Sequence, residues 1–238
     1  LNNTTSLAAL PPCHWCDGSK LDLIKIGERC RDLKISLVID GTQAIGAMPF
    51  DVKQVLPDFV ACSAYKWLLC PYTLSFLYAA PHQQEGVPLE FHRWNHAEPE
   101  VTVTKCGYPS DFNAGARRYD MGEVNNLINI PMAISALEQI TKWGPERIQN
   151  YLAPFISDIA KGAEERGWNV PSTDHRVGHF IGMVPPDPVS TNLVNLLQKE
   201  KVYVSHRGKG LRISPYLFNC QQHIEKFFYF LDKILKTK

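Results

Sequence analysis

Leu37-Val38-Ile39-Asp40-Gly41-Thr42-Gln43-Ala44, followed by Ser63-Ala64-Tyr65-Lys66-Trp67, is the stretch that decides the fold. Ile35-Ser36-Leu37-Val38-Ile39 is mostly apolar and partly β-branched, the pattern of a strand buried on both faces, and it ends on Asp40. Phe59-Val60-Ala61-Cys62 and Leu74-Ser75-Phe76-Leu77-Tyr78 read as two further strands, with a short amphipathic stretch at 51–56 before them. Upstream, Ser6 to Leu10 is a short apolar run stopped by Pro11-Pro12. Ser19-Lys20-Leu21-Asp22 resembles a capping box. It would open a helix to about Leu33, with Leu23, Ile26 and Leu33 broadly on one face. Strand, helix, strand and crossover predict an α/β sheet, largely parallel. In such sheets ligands bind outside the carboxyl ends of the strands, where Asp40 and the Ser63–Lys66 segment both fall. An Asp and a Lys so placed could equally form an ion pair at a sheet edge.

Downstream the pattern changes. Residues 81–119 carry His, Pro, Gly, Asn and aromatics with little periodicity, which predicts a long excursion of loops and short strands, and such loops are often functional. Leu127, Ile130, Ile134, Leu137 and Thr141 then recur at helical spacing until Gly144-Pro145. A second helix begins near Pro145, with Ile148, Tyr151, Leu152, Phe155 and Ile159 on one face and Pro154 as an internal conflict. Strands at 177–184, 202–205 and 210–213, a helix near 191–200 and a last amphipathic helix through Ile224, Phe227, Phe228 and Leu231 predict a separate small α+β domain.

Composition narrows the class. The 238 residues hold 25 Lys+Arg against 24 Asp+Glu, so no charge excess argues for a nucleic-acid or membrane-surface partner. No apolar run is long enough to span a bilayer, and the first residues do not resemble a signal peptide. Seven cysteines, several of them (Cys30, Cys62, Cys70, Cys106, Cys220) in apolar or helical surroundings, predict reduced, buried thiols in a cytoplasmic protein. Cys13-His14-Trp15-Cys16 is a C-x-x-C without a second ligand pair at zinc-finger spacing, so neither a metal nor a disulfide is expected there, although a redox role for the pair is an alternative.

The Asp40 and Lys66 pairing fits one cofactor well. Pyridoxal phosphate needs a Lys to form a Schiff base and a carboxylate to keep its pyridinium nitrogen protonated. Ser63 and Tyr65 can offer hydroxyls to a phosphate, and Gln43 lies close enough in sequence to reach the same ring. The segment from Leu37 to Ala47 and on through Tyr65-Lys66-Trp67-Leu68-Leu69 closely resembles the class V aminotransferases, fold type I of the pyridoxal-phosphate enzymes. That family includes kynureninases, isopenicillin-N-epimerase-like proteins and cysteine desulfurases.

The resemblance implies a partial PLP-transferase large domain, three-layered with a mostly parallel seven-stranded sheet, and a small C-terminal domain. It implies boundaries at residues 1–122 (the C-terminal portion of the cofactor-binding domain), 123–144 (an inter-domain helix) and 145–238. It also implies a homodimer acting on a small amino acid, with Lys66 holding the cofactor as an aldimine and then serving as general base. Asp40 would face the ring nitrogen, Gln43 the ring hydroxyl, and Ser63 and Tyr65 the cofactor. His14 stands where the family commonly has an Asn on a cofactor oxygen. Arg212, in Leu211-Arg212-Ile213-Ser214-Pro215, matches the family's Arg for a substrate carboxylate.

Two departures qualify the resemblance. Family members are longer at the N-terminus, where a phosphate-binding turn and a ring-stacking residue normally lie. The chain is therefore expected to be a fragment or a truncated relative, with weak cofactor binding and negligible turnover alone. After Lys66, Cys70, Thr73 and Ser75 stand where glycines are usual, and a β-branched Thr at φ > 0 would be strained. The alternative reading is a catalytically silent structural or dimerising remnant. Within the enzyme reading, transaminase, epimerase and kynureninase-like hydrolase remain open. A desulfurase is disfavoured, because residues 185–191 contain no Cys.

Overall fold

The computed structural model describes residues 1–98, 106–107, 109–188 and 192–236. Parts of the 81–119 excursion (99–105 and 108) and of the proline-rich segment (189–191) lie outside the described residues. The chain forms two compact units: Leu1–Pro11 with Asp22–Thr42 and Phe50–Lys142, and Pro12–Leu21 with Gln43–Pro49 and Trp143–Lys238. These differ from contiguous boundaries at 122 and 144, since two short early segments fold with the C-terminal part.

The first unit is a four-stranded sheet in the order β1 (Leu7–Leu10), β2 (Ser36–Asp40), β3 (Phe59–Ser63), β4 (Ser75–Ala79). The first three strands are parallel, and β4 returns antiparallel to β3 with Ser63 opposite Ser75. The parallel strands therefore end on one edge, at Leu10, Asp40 and Ser63. In β2, Leu37 and Ile39 are buried while Ser36 and Val38 are only half so; the two-faced burial expected from its composition is an alternation instead. The Asp58 carboxylate ties the start of the excursion to this sheet, accepting from Leu37 N, His82 Nε2 and Gln83 Nε2, each at 2.7 Å.

Helix α1 (Leu23–Asp32) is capped by Asp22, whose carboxylate accepts from Lys25 N, and not by the expected box headed by Ser19. Ser19 lies in an isolated bridge with Arg176 of the second unit. The buried face of α1 is Leu23, Gly27 and Cys30 rather than Leu23, Ile26 and Leu33. The reason is close packing against α2 (Val52–Val55): a Cβ at Gly27 would stand 2.2 Å from the Val55 carbonyl oxygen, which also accepts from Arg31 Nη1. Gly27→Ala is therefore expected to destabilise the protein. Overpacking costs about 1–3 kcal/mol, which outweighs a helix-propensity gain of about 1 kcal/mol. A lower urea midpoint would show it, and an unchanged or higher one would refute the close approach.

Among the described residues of 81–119 there are three 3-10 turns (Pro81–Gln83, Arg93–Asn95, Gly115–Tyr119) and one isolated bridge, His96 to Phe112, where short strands were expected. The predicted stripe on α3 (Asn129–Trp143) is also corrected. Leu127, Ile130 and Ile134 are 87%, 37% and 52% exposed, and the buried positions are Ala133 and Ile140. Periodicity locates an apolar face but does not say what covers it.

The second unit packs α4 (Pro145–Glu164), α5 (Leu193–Lys199) and α6 (Gln221–Lys236) with an antiparallel sheet ordered β5 (Ile181–Met183), β7 (Gly210–Ile213), β6 (Ser205–Arg207). Helix α4 runs through Pro154 without a break. From α6, Ile224, Phe227, Phe228 and Leu231 enter the core at i, i+3, i+4 and i+7, as its periodicity predicts. The strand expected at 202–205 begins only at Ser205. Lys201 adopts φ 58°, Val202 N–H bonds Leu197 O, and Lys201 N–H bonds Gln198 O. This paired closure ends α5 and removes Val202 from any strand. Strand β5 is likewise shorter than 177–184.

No helix among the described residues is long and apolar enough to cross a membrane. Cys13, Cys30, Cys62 and Cys70 are buried, but Cys106 and Cys220 are exposed, contrary to the expectation that they too are interior.

Candidate active site

In the first unit the chemistry gathers at the carboxyl ends of β2 and β3. Asp40, last in β2, accepts from Thr42 N at 3.0 Å, and Thr42 Oγ1 in turn accepts from Ser63 N at 3.0 Å. This chain of bonds fixes the Asp40 carboxylate and sets the start of the β3–β4 hairpin loop. Cys62, the residue before the end of β3, has its thiol pushed up to about 11, by burial first and then by the Asp40 carboxylate, with Lys66 opposing. Asp40 and Lys66 thus act electrostatically on the same thiol.

Lys66 lies in the hairpin loop, which is closed by Ala64 N to Leu74 O, Leu69 N to Lys66 O and Cys70 N to Ala64 O. Its ammonium is 5.7 Å from the Tyr65 ring centroid, and Tyr65 stacks on Tyr72 at 4.6 Å and 19°. Asn129 Nδ2 donates to Tyr72 O and Thr73 Oγ1, tying the loop to α3. Of the three positions where glycine was anticipated, Thr73 has φ 72°, in the left-handed region, while Cys70 and Ser75 do not have positive φ.

The other predicted residues lie in the second unit. Gln43 O accepts from His179 Nε2 at 2.7 Å and from Cys13 Sγ at 3.5 Å. His179 is completely buried, and burial holds its pKa down to about 4 although the bond to Gln43 opposes the shift. The ring is therefore neutral, with Nε2 carrying the proton and the Gln149 amide 3.3 Å from Nδ1. His14 Nδ1 pairs with Asp17 Oδ1 at 3.0 Å on an exposed turn. Arg212, in β7, donates from Nη1 to Trp15 O at 2.9 Å. Its pKa is lowered by burial first and by Arg207 second, with Cys16 opposing.

The structure thus joins Asp40, Ser63, Tyr65 and Lys66 in one unit and Gln43, His14 and Arg212 in the other. Sequence reasoning missed Thr42, His179 and Arg207. For His179 the available signal was a lone His inside the apolar run Val177-Gly178-His179-Phe180. For Arg207 it was a second Arg across the Gly208-Lys209-Gly210 turn from Arg212. No group of three or more potential metal-ligating side chains occurs among the described residues.

Comparison with known proteins follows the same lines. The family described as "Aminotransferase class-V" matches residues 1–227. An uncharacterized aminotransferase, YcbU, of Bacillus subtilis is 25% identical over 225 residues, covering 94% of this chain and 58% of that protein. The hercynylcysteine sulfoxide lyase of Schizosaccharomyces pombe is 34% identical over 233 residues, covering 89% and 54%. The chain therefore spans little more than half the length of these relatives. Among solved structures, the apo cysteine desulfurase of Thermococcus onnurineus NA1 superposes with a TM-score of 0.85 at 18% identity, covering 98% of this chain and 60% of that one. A C-DES mutant with glycine covalently linked to its PLP cofactor gives 0.83 at 18% identity, covering 97% and 62%. At these identities the structures establish the fold, a mixed α/β architecture with a parallel-rich sheet.

Proposed function

The chain belongs to the class V aminotransferase family, and from that premise we propose that it serves pyridoxal-phosphate chemistry on a small amino acid, with Lys66 holding the cofactor. The observation that carries this reading is the placement of Asp40 as the last residue of β2 and of Lys66 three residues beyond the end of the neighbouring strand β3. The donor set fits the group: an amine, a carboxylate already oriented by Thr42 N–H, and the hydroxyls of Ser63 and Tyr65 on the same segment. When bound, pyridoxal phosphate supplies an electron sink for bond cleavage at the substrate's α-carbon.

The chain's own residues do the rest. Lys66 Nζ takes the α-proton and returns it. The Asp40 carboxylate holds a proton on the ring nitrogen by its negative charge. Gln43 and His14 bind ring oxygens, Ser63 and Tyr65 bind phosphate, and Arg212 binds the substrate carboxylate through the donors that Trp15 leaves open. The protein acts as a homodimer in this reading.

The test is to titrate the natural polypeptide that carries this chain with pyridoxal phosphate, follow the visible-edge absorbance, and assay amino-group transfer on a small amino-acid panel. Asp40→Asn is expected to lower turnover by roughly 10–1,000-fold, the range of a one- to three-unit charge effect on the ring nitrogen. The amide can still accept from Thr42 N–H, so the fold should survive. Unchanged turnover in this variant would remove Asp40 from the site.

A further inference from the structure

One face of the three-stranded sheet carries two guanidinium groups, and among the described residues neither has a carboxylate partner; each lies near an aromatic ring, Arg207 near Trp15 and Arg212 near Phe180. In the β6–β7 ladder Ser205 pairs with Arg212 and Arg207 with Gly210, so Arg207 and Arg212 project from one face as diagonal neighbours. Diagonal positions lie roughly 7–8 Å apart at Cα, within reach of two long side chains acting on one ligand. The opposite face is the core side, where Leu211, Ile181 and Met183 are buried.

The segment around residues 15–17 covers the Arg-bearing face. Gly182 of β5 pairs with Arg212, and a Cβ there would stand 2.5 Å from Asp17 Cα and 2.8 Å from Cys16 O. The Trp15 ring lies 6.0 Å from the Arg207 guanidinium, and Trp15 O takes Arg212 Nη1. Arg207 Nη1 is spent on its neighbour, His206 O.

Both Nε atoms are buried without a hydrogen-bond partner. Among the described residues neither guanidinium is in an ion pair, and the carboxylate of the covering segment, Asp17, is engaged by His14 and by Ser19 N. Burying charged N–H groups without acceptors is costly, and like charges on diagonal positions repel. The repulsion registers in the lowered pKa of Arg212, to which Arg207 contributes. A single carboxylate would neutralise one of the two charges and leave the other uncompensated.

We propose that Arg207 and Arg212 form a two-point anion site that selects amino acids bearing a second acidic group on the side chain. This rests on the proposed function above, in which Arg212 takes the α-carboxylate, and it adds Arg207 as the anchor for the distal acid. Two guanidinium forks can each bind a carboxylate through paired charge-assisted bonds. The Trp15 ring supplies an apolar wall beside them.

The experiment needs no cofactor, so its failure is separable from failure of the Lys66 reading. Succinate and propionate are titrated calorimetrically, at constant ionic strength and without phosphate or sulfate, into the natural polypeptide that carries this chain. Succinate is expected to bind at least about tenfold more tightly, one charge-assisted contact's worth. Arg207→Gln should remove that preference by weakening succinate and leave propionate within about twofold, Arg207→Lys should restore part of it, and Arg212→Gln should weaken both acids. Equal affinity of the unaltered protein for the two acids would overturn the proposal. So would an Arg207→Gln variant that keeps the preference or loses both acids alike.

Discussion

Lys66→Ala is expected to abolish covalent retention of pyridoxal phosphate after borohydride reduction and to lower turnover by roughly 10²–10⁴-fold, the usual contribution of a positioned acid–base group. The fold should survive the change. The loop that carries Lys66 is closed by backbone bonds, Leu69 N to Lys66 O and Cys70 N to Ala64 O, which a methyl side chain does not disturb. The ammonium's position 5.7 Å from the Tyr65 ring contributes only about 0.5–1 kcal/mol at an accessible site. In the unaltered protein the reduced label should map to the peptide containing Lys66. Label on another lysine, or brisk turnover in the Lys66→Ala variant, would end the proposed role. Because binding and chemistry are read separately, a catalytically silent protein would also declare itself, by a label on Lys66 without turnover.

The second large effect concerns acid stability. His179 has its pKa lowered from 6.5 to about 4 in the folded protein, and unfolding returns it to the ordinary value. Below pH 6.5 the unfolded chain therefore binds a proton that the buried ring refuses. The stabilisation is fully present above pH 6.5 and is lost progressively as pH falls from there to about 4, below which the loss levels off at about 3 kcal/mol. Taking the proton in place would put a positive charge on Nδ1 in a site closed to water, beside the Gln149 amide at 3.3 Å.

His179→Gln keeps an amide donor for Gln43 but does not titrate. Urea midpoints measured at pH 7.5 and 4.5 should fall steeply for the unaltered protein and much less for the variant. Equal slopes would mean that the ring is protonated, or reached by water, in the folded state. The salt-bridged Asp232, whose carboxylate is held low by the Arg166 guanidinium, contributes in a lower window, as pH falls through its own depressed value. The two effects can therefore be told apart.

What the sequence disclosed, and what it withheld, follows from how local each signal is. Strand β2 with Asp40 at its end, the position of β4 and the apolar face of α6 are written in short periodic runs, and the structure places them within a residue or two, whereas the antiparallel direction of β4 was not legible in its run. The residues of the Lys66 loop were legible for the same reason: they sit at strand ends. The start of α1 was misread because Ser19 and Asp22 are both good caps, and the choice between them depends on Arg176, distant in sequence. Strand β6 was misread because Val202 has strand chemistry but is used to close α5. The association of Pro12–Leu21 and Gln43–Pro49 with the C-terminal part rests on contacts such as His179 to Gln43, between residues far apart in the chain, and no window along the sequence contains both partners.

The stacked pair Tyr65 and Tyr72 gives the Lys66 loop an optical signature of its own. Two phenol rings 4.6 Å apart at 19° have coupled transition dipoles in a fixed chiral frame. The loop should therefore contribute to the near-ultraviolet circular dichroism even without a bound chromophore. Any event that pulls Tyr65 away from Tyr72 would erase that contribution while leaving the far-ultraviolet spectrum of the sheet and helices unchanged. Tyr72→Leu identifies the band by difference, so the conformation of the loop can be followed by its ellipticity, separately from any chemistry at the lysine beside it.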